Sequence, residues 1–299
     1  MLTLFAVAKP FRGHFATIQR NAIASWARLR PACQILLLGD EAGIAEAAEE
    51  AGATHVPELG RNELGTPLVS SIFSEAEKHA RFPYLCYVNA DIVLLDDFLP
   101  AVQKTCEWNA RSLTIGRRWD MDIAESLSWE AGWEEALRAR AGAAGKLHAH
   151  TGSDFFVFQR GFWGAMPDFV AGHCGYWDNW LIFRARKLGA PVVDATQCVT
   201  AIHQNHDRAA YHAGGEARAC WDVERQRNYA LGGGLGNACT VRDATHRLTS
   251  GGVRRRMVPL DLHRCLIVPF VKQKWARPLV RFKKRLFQDA GSVTQKESP

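Results

Sequence analysis

The chain has 299 residues, of which 47% are hydrophobic and 23% are charged, and its formal net charge is +6. This composition is typical of a globular protein with one large domain, and it excludes disordered and fibrous classes. No apolar run approaches the roughly 20 residues that a membrane-crossing helix needs. The opening residues lack a basic leader and the eight cysteines form no C-x-x-C pair, so we expect a reducing, cytoplasmic setting.

Extended apolar segments alternate with helical segments along the first part of the chain. The predicted strands are 2–8, 34–38, 54–56, 84–89 and 112–115, and the predicted helices are 15–29, 41–51, 68–80 and 98–107. This alternation predicts an α/β fold with a mostly parallel sheet covered by helices. Polar residues that follow the strands should then collect at one edge of the sheet, where crevices open.

The pattern changes after the fifth predicted strand. A helical insert rich in Trp and Ala is predicted at 119–151, where it is expected to shape an acceptor pocket. The later predicted elements are a strand after Gly152, a helix at 177–189, a strand at 191–194 and an extended segment at 199–207. We therefore predict one domain over 1–207 and a C-terminal extension over 208–299.

Asp91 is the most informative residue of the chain. It interrupts the apolar run 84–95 at the point where the fourth strand should end. A buried carboxylate is costly unless something pairs with it. At the carboxyl end of a central strand, the usual partner is a ligand or a metal. Asp91 therefore reads as a site residue, although an acid that only caps the following turn remains the alternative.

Three elements follow one another in an informative order: Asn89-Ala90-Asp91 after the fourth strand, Trp177-Asp178-Asn179-Trp180-Leu181 at a helix start, and His203 about two dozen residues later. Together they resemble the D-x-D element, the x-E-D helix and the C-terminal histidine of GT-A glycosyltransferases, most closely the bacterial family-2-like enzymes. The resemblance covers about residues 2–207. It implies a Rossmann-like GT-A fold and a divalent cation, Mn²⁺ or Mg²⁺, held by Asp91, His203 and Asn89.

Two positions depart from the family pattern. Asn89 stands where the first aspartate is expected, which removes one negative charge, although an amide oxygen is still a plausible ligand. Trp177 stands where the glutamate is expected, so that Asp178 is the only acid of that motif. In the resemblance Asp178 is the general base, and an N-cap of the helix is its structural alternative. Asp154 is the second candidate for the base.

His203 could also be a hydrogen-bonded core histidine, and His206 is the nearby competitor for the ligand role. Other residues at the same edge are predicted to contact the donor nucleotide. They are Ala8, Lys9, Asp40, Thr66, Asn89, Ala90 and Arg117. Arg117 could bind phosphate bidentately, or it could form surface salt bridges. Thr66 could face the nucleotide at a helix N-terminus, or it could simply start that helix.

The C-terminal segment 264–287 interleaves cations with apolar residues and contains no acid after Arg264. This pattern is expected for a helix on an anionic membrane surface, and a helix that docks on the main domain is equally compatible. No nucleic-acid-binding motif accompanies the charge, so nucleic acid is not an expected partner.

The sequence thus predicts metal-dependent, inverting transfer of a sugar from a nucleoside-diphosphate sugar to a glycan or lipid-linked acceptor. A sugar-phosphate nucleotidyltransferase is one alternative, but the loop after the first strand lacks the expected glycine-rich phosphate-binding pattern. A catalytically silent nucleotide- or carbohydrate-binding scaffold is an alternative of another class. Asn89 at the first motif position favours that scaffold.

Overall fold

The computed structural model describes residues 2–171, 175–206 and 216–256. The strands are β1 Leu2–Val7, β2 Gln34–Leu38, β3 Thr54–Val56, β4 Tyr84–Val88, β5 Ile92–Leu94, β6 Leu113–Ile115, β7 Trp119–Met121, β8 Lys146–Leu147, β9 Phe155–Gln159, β10 Val192–Asp194, β11 Ala201–Gln204, β12 His246–Thr249 and β13 Gly252–Arg255. The helices are α1 Gly13–Arg28, α2 Ile44–Ala51, α3 Val69–His79, α4 Phe98–Trp108, α5 Trp133–Ala144, α6 Trp177–Lys187 and α7 Glu216–Leu231, with short 3₁₀ turns at Leu235–Asn237 and Val241–Asp243.

Nine strands form one large sheet in the order β13-β12-β10-β6-β9-β4-β1-β2-β3. The pairs β1–β2, β1–β4, β2–β3, β6–β10 and β10–β12 are parallel, whereas β9 runs antiparallel to both β4 and β6. The predicted α/β fold with a mostly parallel, helix-flanked sheet is therefore confirmed.

The apolar runs are continuous because both faces of the sheet are covered. In β1, Leu4 packs on one face in the same core cluster as Trp26 of α1. Phe5 points to the other face, where its ring meets Phe73 of α3 edge-on at 5.2 Å. Alternation along the strand thus builds two cores from one uninterrupted hydrophobic segment.

A second, four-stranded sheet has the order β5-β11-β7-β8. The turn that contains Asp91 connects β4 of the large sheet directly to β5 of this small sheet. Met121 and Ile202 of the small sheet pack with Leu137 of α5 in a separate core cluster. The insert 119–151, expected to be helical, therefore holds β7 and β8 as well as α5. These two strands have only three and two residues, too few to show a strand period.

The compact unit that contains both sheets extends to Arg256. β12 pairs with β10, and Asn228 of α7 is fully buried and exchanges hydrogen bonds with the backbone of Val170. The sequence placed the end of the domain at 207, whereas these contacts lie after that position. The segment 264–287 lies outside the described residues. Within the described part of the chain, no helix combines the length and the apolar character needed to cross a bilayer.

Candidate active site

Polar side chains meet at the carboxyl edge of the large sheet. Lys9 follows β1, Asp91 follows β4 and Arg117 follows β6, and these strands run in the same direction. Asp154 precedes β9, which is antiparallel to β4, so that its start lies at the same edge. The backbone N–H of Asn89 donates to the carbonyl of Asp154 at 3.0 Å. Strand direction alone thus brings residues from distant parts of the sequence together.

The small sheet adds a histidine and another aspartate to this edge. In β11, His203 pairs with Ile92 of β5 on one side and with Asp120 of β7 on the other. Because Ile92 directly follows Asp91, this register places the imidazole between two carboxylates. Nε2 of His203 lies 3.6 Å from Oδ2 of Asp91, and Nδ1 lies 3.4 Å from Oδ1 of Asp120.

Asp91, His203 and His206 form a set of potential metal ligands, called here the ligand cluster. One ligand atom from each residue lies within 4.8 Å of the others. Nε2 of His206 is 3.4 Å from Oδ2 of Asp91, and the His206 ring lies 5.0 Å from the ring of Phe15. The three side chains are 20%, 10% and 9% exposed, in that order. Solvent therefore reaches only a small part of the cluster.

The electrostatics of the ligand cluster suit a cation. Burial raises the pKa of the Asp91 carboxyl, but the neighbouring His206 and His203 outweigh burial and lower the pKa to about 2. The Oδ1 atom of Asp91 and the Nδ1 atom of His206 are buried without a hydrogen-bond partner among the described residues. Such atoms are rare in folded proteins and call for an explanation such as a bound ion or water. A carboxylate with two imidazoles is a donor set that fits a divalent metal.

Asp120 lies behind His203 and holds its ring. Its carboxylate is 2.6 Å from Nδ1 of His148 and 2.8 Å from Nε of Arg118. Burial raises the pKa of Asp120, but the hydrogen bonds with His203, His148 and Arg118 bring it well below its usual range. A carboxylate on one ring nitrogen of a histidine fixes the other nitrogen toward the metal. The sequence analysis did not predict this role for Asp120.

Arg118 connects the carboxylates of the site, and the sequence did not single it out. Its Nη1 donates to Oδ1 of Asp154 at 2.6 Å, and the side-chain amide of Asn89 donates to the same oxygen at 2.7 Å. Burial lowers the pKa of the Arg118 guanidinium, but Asp154 and Asp120 reverse this and raise it. The negative charge of Asp154 is therefore paired with the guanidinium of Arg118. A metal contact from the oxygen of Asn89 stays a prediction.

Asp178 lies in the first turn of α6 and has a different environment. Its Oδ1 is buried without a hydrogen-bond partner in the described part of the chain. Burial raises its pKa to about 6; hydrogen bonds from the backbone of Asn179 and of Asp178 itself oppose this shift, and the charge of Asp154 adds to it. The residue before this helix, Tyr176, has a φ of 79°, which is strained for a bulky side chain. Its hydroxyl donates to the carbonyl of Gly234 at 2.6 Å.

One buried tyrosine shows that the three predicted aspartates share a region. Burial raises the pKa of Tyr87 in β4, and the charges of Asp91, Asp154 and Asp178 raise it further. The ring of Trp177 meets the Tyr87 ring edge-on at 5.1 Å. The residues predicted to be ligand, second base candidate and base are thus neighbours around the end of one strand.

The predicted nucleotide-binding residues separate into two groups. Lys9 lies close to the ligand cluster: its Nζ is 4.1 Å from the centre of the Phe15 ring, and burial lowers its pKa to about 8, while Asp91 partly offsets this. Ala8 and Ala90 are buried beside their strands. In the second group, Asp40 pairs with Arg61, and Thr66 donates to Glu224 at 2.5 Å.

Arg117 is hydrogen-bonded to backbone carbonyls and to a threonine hydroxyl. Its Nε donates to the carbonyl of His148 at 2.6 Å, and Nη2 donates to the carbonyl of Leu147 at 3.3 Å. Its backbone N–H donates to Oγ1 of Thr196 at 2.9 Å. A phosphate contact from this arginine stays a prediction, and the neighbouring Arg118 is the arginine that reaches the site aspartates.

The sequence treated His203 and His206 as competitors, and the structure brings both to Asp91. The His-x-x-His spacing after an apolar strand is the sequence feature that indicates a ligand role for both histidines. Arg118 and Asp120 carried no comparable signal, because their roles depend on the pairing of β7 with β11.

No protein-family model matches the chain, and no curated protein matches it. Several solved structures are similar at low identity. TarS from S. aureus in complex with UDP-GlcNAc is 8% identical with a TM-score of 0.48, covering 77% of this chain and 70% of that chain. Glucosyl-3-phosphoglycerate synthase from Mycobacterium tuberculosis, with Mn²⁺, UDP and glucosyl-3-phosphoglycerate, is 15% identical with a TM-score of 0.45, covering 77% and 80%. The mannosyltransferase PcManGT from Pyrobaculum calidifontis, with GDP-Man and Mn²⁺, is 12% identical with a TM-score of 0.48, covering 77% and 62%. At these identities and TM-scores, the similarities do not define the chemistry of this chain.

Proposed function

We propose that the protein is a metal-assisted glycosyltransferase that moves a sugar from a nucleoside-diphosphate sugar to an acceptor hydroxyl. The observation that carries this proposal is the ligand cluster at the sheet edge, with the carboxyls of Asp154 and Asp178 beside it. Sugar transfer needs neutralisation of the leaving diphosphate and a base for the acceptor proton. This site offers residues for both, in the order found in GT-A glycosyltransferases.

Asp91, His203 and His206 are the residues that would hold the cation. A bound divalent ion neutralises the charge of the leaving diphosphate as a Lewis acid. Imidazole nitrogens suit transition-metal ions, whereas Mg²⁺ prefers oxygen ligands and keeps its water. Two imidazoles and one carboxylate therefore favour Mn²⁺ over Mg²⁺. Asp120 supports this preference because it orients Nε2 of His203 toward Asp91.

Asp178 is the better of the two base candidates. With a pKa of about 6 it is mostly ionised at neutral pH, yet it holds a proton more readily than an ordinary aspartate. Asp154 is bound by the guanidinium of Arg118 and the amide of Asn89, which both favour its charged form. Asp178 would remove the proton of the acceptor hydroxyl as this hydroxyl attacks the donor sugar. A base in this role is expected for an inverting transfer.

Lys9 is the strongest candidate for contact with the donor among the predicted nucleotide-binding residues. Its ammonium group has a pKa of about 8, so it is mostly protonated at neutral pH and can bind a phosphate oxygen. Ala8, Asn89 and Ala90 offer backbone groups at the same edge. Asp40 and Thr66 could contact the base and ribose only if their present partners, on the loop after β3 and on α7, gave way.

A glycan or lipid-linked acceptor in surface-polysaccharide assembly, and a peripheral position on the cytoplasmic membrane face, complete the proposal. The segment 264–287 would supply the membrane contact, and it lies outside the described residues. Nucleic acid is not among the proposed partners.

The experiment that tests the function combines thermal unfolding with donor turnover. Nucleoside diphosphates and their sugars are screened with Mn²⁺, Mg²⁺ or a chelator on the wild type, Asp91→Asn and Asp96→Asn. Asp96 is an exposed acid close by in the sequence that pairs with Arg138, so it controls for loss of one charge. At about 100 times Kd, the correct nucleotide with metal should stabilise the wild type and Asp96→Asn by about 2.7 kcal/mol.

Asp91→Asn should lose this metal-dependent stabilisation. Equal stabilisation of all three proteins would contradict the assigned metal site. Donor binding without hydrolysis or transfer to any acceptor would favour the silent scaffold, and release of pyrophosphate from a nucleoside triphosphate and a sugar phosphate would favour the nucleotidyltransferase.

A further inference from the structure

Four basic side chains gather around the end of β10, on the side of β4 that lies away from Lys9. Arg117 follows β6, His150 lies in the loop before β9, Arg242 lies in the 3₁₀ turn Val241–Asp243, and Arg256 follows β13. These residues are called here the basic cluster. They come from four segments that are far apart in the sequence.

Backbone and side-chain contacts hold three of these segments together around Val241. Its N–H donates to the carbonyl of His150 at 3.0 Å, and its carbonyl accepts from Nη1 of Arg256 at 3.2 Å. The same Nη1 lies 3.5 Å from Oδ2 of Asp194. Arg242 is the next residue along the chain, so its side chain begins where His150 and Arg256 meet.

Arg117 joins the cluster through Thr196. Its N–H donates to the Thr196 hydroxyl at 2.9 Å, and this hydroxyl donates to Oδ1 of Asp194 at 2.6 Å. The guanidinium of Arg117 is held by two backbone carbonyls rather than by an acid. Asp194 is therefore the carboxylate at the centre of the group, and Thr196 and Arg256 already contact it.

The three guanidinium groups and the imidazole of the basic cluster outnumber its two acidic neighbours, Asp194 and Asp243. Arg242 is exposed, and its guanidinium makes no hydrogen bond or ion pair with the residues that the structure describes. The His150 ring is half-buried and likewise has no hydrogen bond to a described residue. Burial and the charges of Arg117, Arg242 and Arg256, opposed by Asp194 alone, lower its pKa to about 4. Like charges at short range cost free energy, which a bound anion would offset.

The sheet order indicates which molecule would bring this anion. β1 and β2, which carry Lys9 and Asp40, lie on one side of β4 and Asp91, whereas β6, β10, β12 and β13 lie on the other. If the donor nucleotide lies over β1 and β2, the basic cluster faces the opposite side of the reaction centre. We propose that Arg117, His150, Arg242 and Arg256 bind a phosphate group of the acceptor. This proposal rests on the proposed function and names its acceptor class.

Inorganic phosphate is the probe, titrated into wild type, Arg242→Gln and Arg254→Gln. Arg242 is chosen because it is exposed and unpaired within the described residues, so its loss should not unfold the protein. Arg254 is an exposed arginine of β13 outside the cluster and serves as the matched control. Phosphate binding is followed by thermal unfolding and by the NMR signals of His150, with and without saturating nucleoside diphosphate and Mn²⁺.

Arg242→Gln should weaken phosphate binding about tenfold or more, as expected for loss of one charged hydrogen bond, and Arg254→Gln should leave it unchanged. The His150 pKa should rise when phosphate binds to the wild type, and phosphate should still bind beside the nucleotide. Equal binding to all three proteins, or no change at His150, would overturn the site. Competition with the nucleoside diphosphate would assign the cluster to the donor instead. If phosphate binding depends on Arg242 but no nucleotide binds, the proposed function is refuted and the phosphate site is not.

Discussion

The three aspartates of the candidate active site differ in their partners, and the partner limits what each carboxylate can do. Asp91 faces two imidazoles, and Asp154 is bound to Arg118. Asp178 has a buried oxygen with no partner in the described part of the chain, and its pKa is about 6. The same functional group thus stands in three different environments, for which we propose cation binding by Asp91, a structural ion pair for Asp154 and proton transfer by Asp178.

Replacing Asp178 by Asn removes the base and keeps the size of the side chain. Asp178 lies in the first turn of α6 and Tyr176 is at the N-cap, so the N-cap alternative for Asp178 is wrong and the stability should be largely retained. The amide cannot accept a proton, so the transfer rate should fall by about two to four orders of magnitude while donor affinity is unchanged. Steady-state kinetics and a donor titration measure the two quantities. Transfer at close to the native rate would place the base elsewhere and remove the main support for an inverting reaction.

The pH dependence of stability gives a second readout for Asp178. Its folded pKa of about 6 lies above the usual value for aspartate, so the protonated form stabilises the fold. This contribution is fully present below about pH 4 and is lost as the pH rises through about 6. The stability of Asp178→Asn, measured by thermal unfolding, should therefore not fall in this way between these two pH values. Parallel curves for the two proteins would contradict the raised pKa.

Asp120 should act through the orientation of His203. Asp120→Asn removes the negative charge behind the ring, and we expect Mn²⁺ affinity to fall by about 10- to 100-fold. Isothermal titration with Mn²⁺ measures this directly, without the reaction. Asp96→Asn, which changes an acid outside the site in the same way, should keep native affinity. An unchanged Mn²⁺ affinity in Asp120→Asn would show that the ring is held by other contacts.

At the scale of elements, the start of α6 depends on a contact with the glycine-rich segment that follows α7. Tyr176 immediately precedes α6 in a strained backbone conformation, and its hydroxyl is bound to the carbonyl of Gly234. A Cβ atom at Gly232 would lie 2.1 Å from Cε1 of the Tyr176 ring. This glycine therefore lets the ring approach and so helps to position the first turn that carries Asp178.

Gly232→Ala should lower both stability and transfer, because the Tyr176 ring must move. Overpacking of this kind typically costs about 1–3 kcal/mol. Gly142→Ala is the matched control: it lies inside α5, and nothing lies within 4 Å of its added Cβ. There, alanine should stabilise the protein by about 0.8–1 kcal/mol through helix propensity. Urea unfolding measures both, and a stable, fully active Gly232→Ala would contradict the positioning role.

At the scale of the whole molecule, the sequence predicted the repeating strand–helix part of the fold well. The runs at 2–8, 34–38 and 84–89 correspond to β1, β2 and β4, because strands buried on both faces leave continuous apolar segments. For the same reason Asp91 stood out within its run. Asp178 and His203 were singled out as candidate site residues by the order of short motifs at strand and helix ends.

The rest of the fold depends on pairings that a local pattern does not contain. β5, β7 and β8 have two or three residues each, and their partners are distant in the sequence. The antiparallel insertion of β9 between β4 and β6 also follows from tertiary packing. Arg118 and Asp120 could not be assigned from the sequence, since the register of β7 against β11 gives them their neighbours.

The extent of the compact unit predicts how the chain tolerates truncation. A protein ending at Arg256 keeps every strand of both sheets and should unfold cooperatively with a Tm close to that of the full chain. A protein ending at 207 loses α7, β12 and β13 together with the buried Asn228, and should not fold stably. Thermal unfolding of the purified proteins measures this. A folded 1–207 protein would restore the shorter domain predicted from the sequence.

The turn at Asp91 joins the two sheets, and the two histidines that face it lie on or just after a strand of the small sheet. A cation held there would link the two sheets, and it would also take part in the reaction. Ile92, Leu94 and Ala201 of the small sheet also pack in the core with Trp26 of α1, so loss of the cation would loosen this sheet without releasing it. Metal depletion should then make the 119–151 insert more accessible to proteases, and the lifetime of the protein would depend in part on the supply of its cofactor.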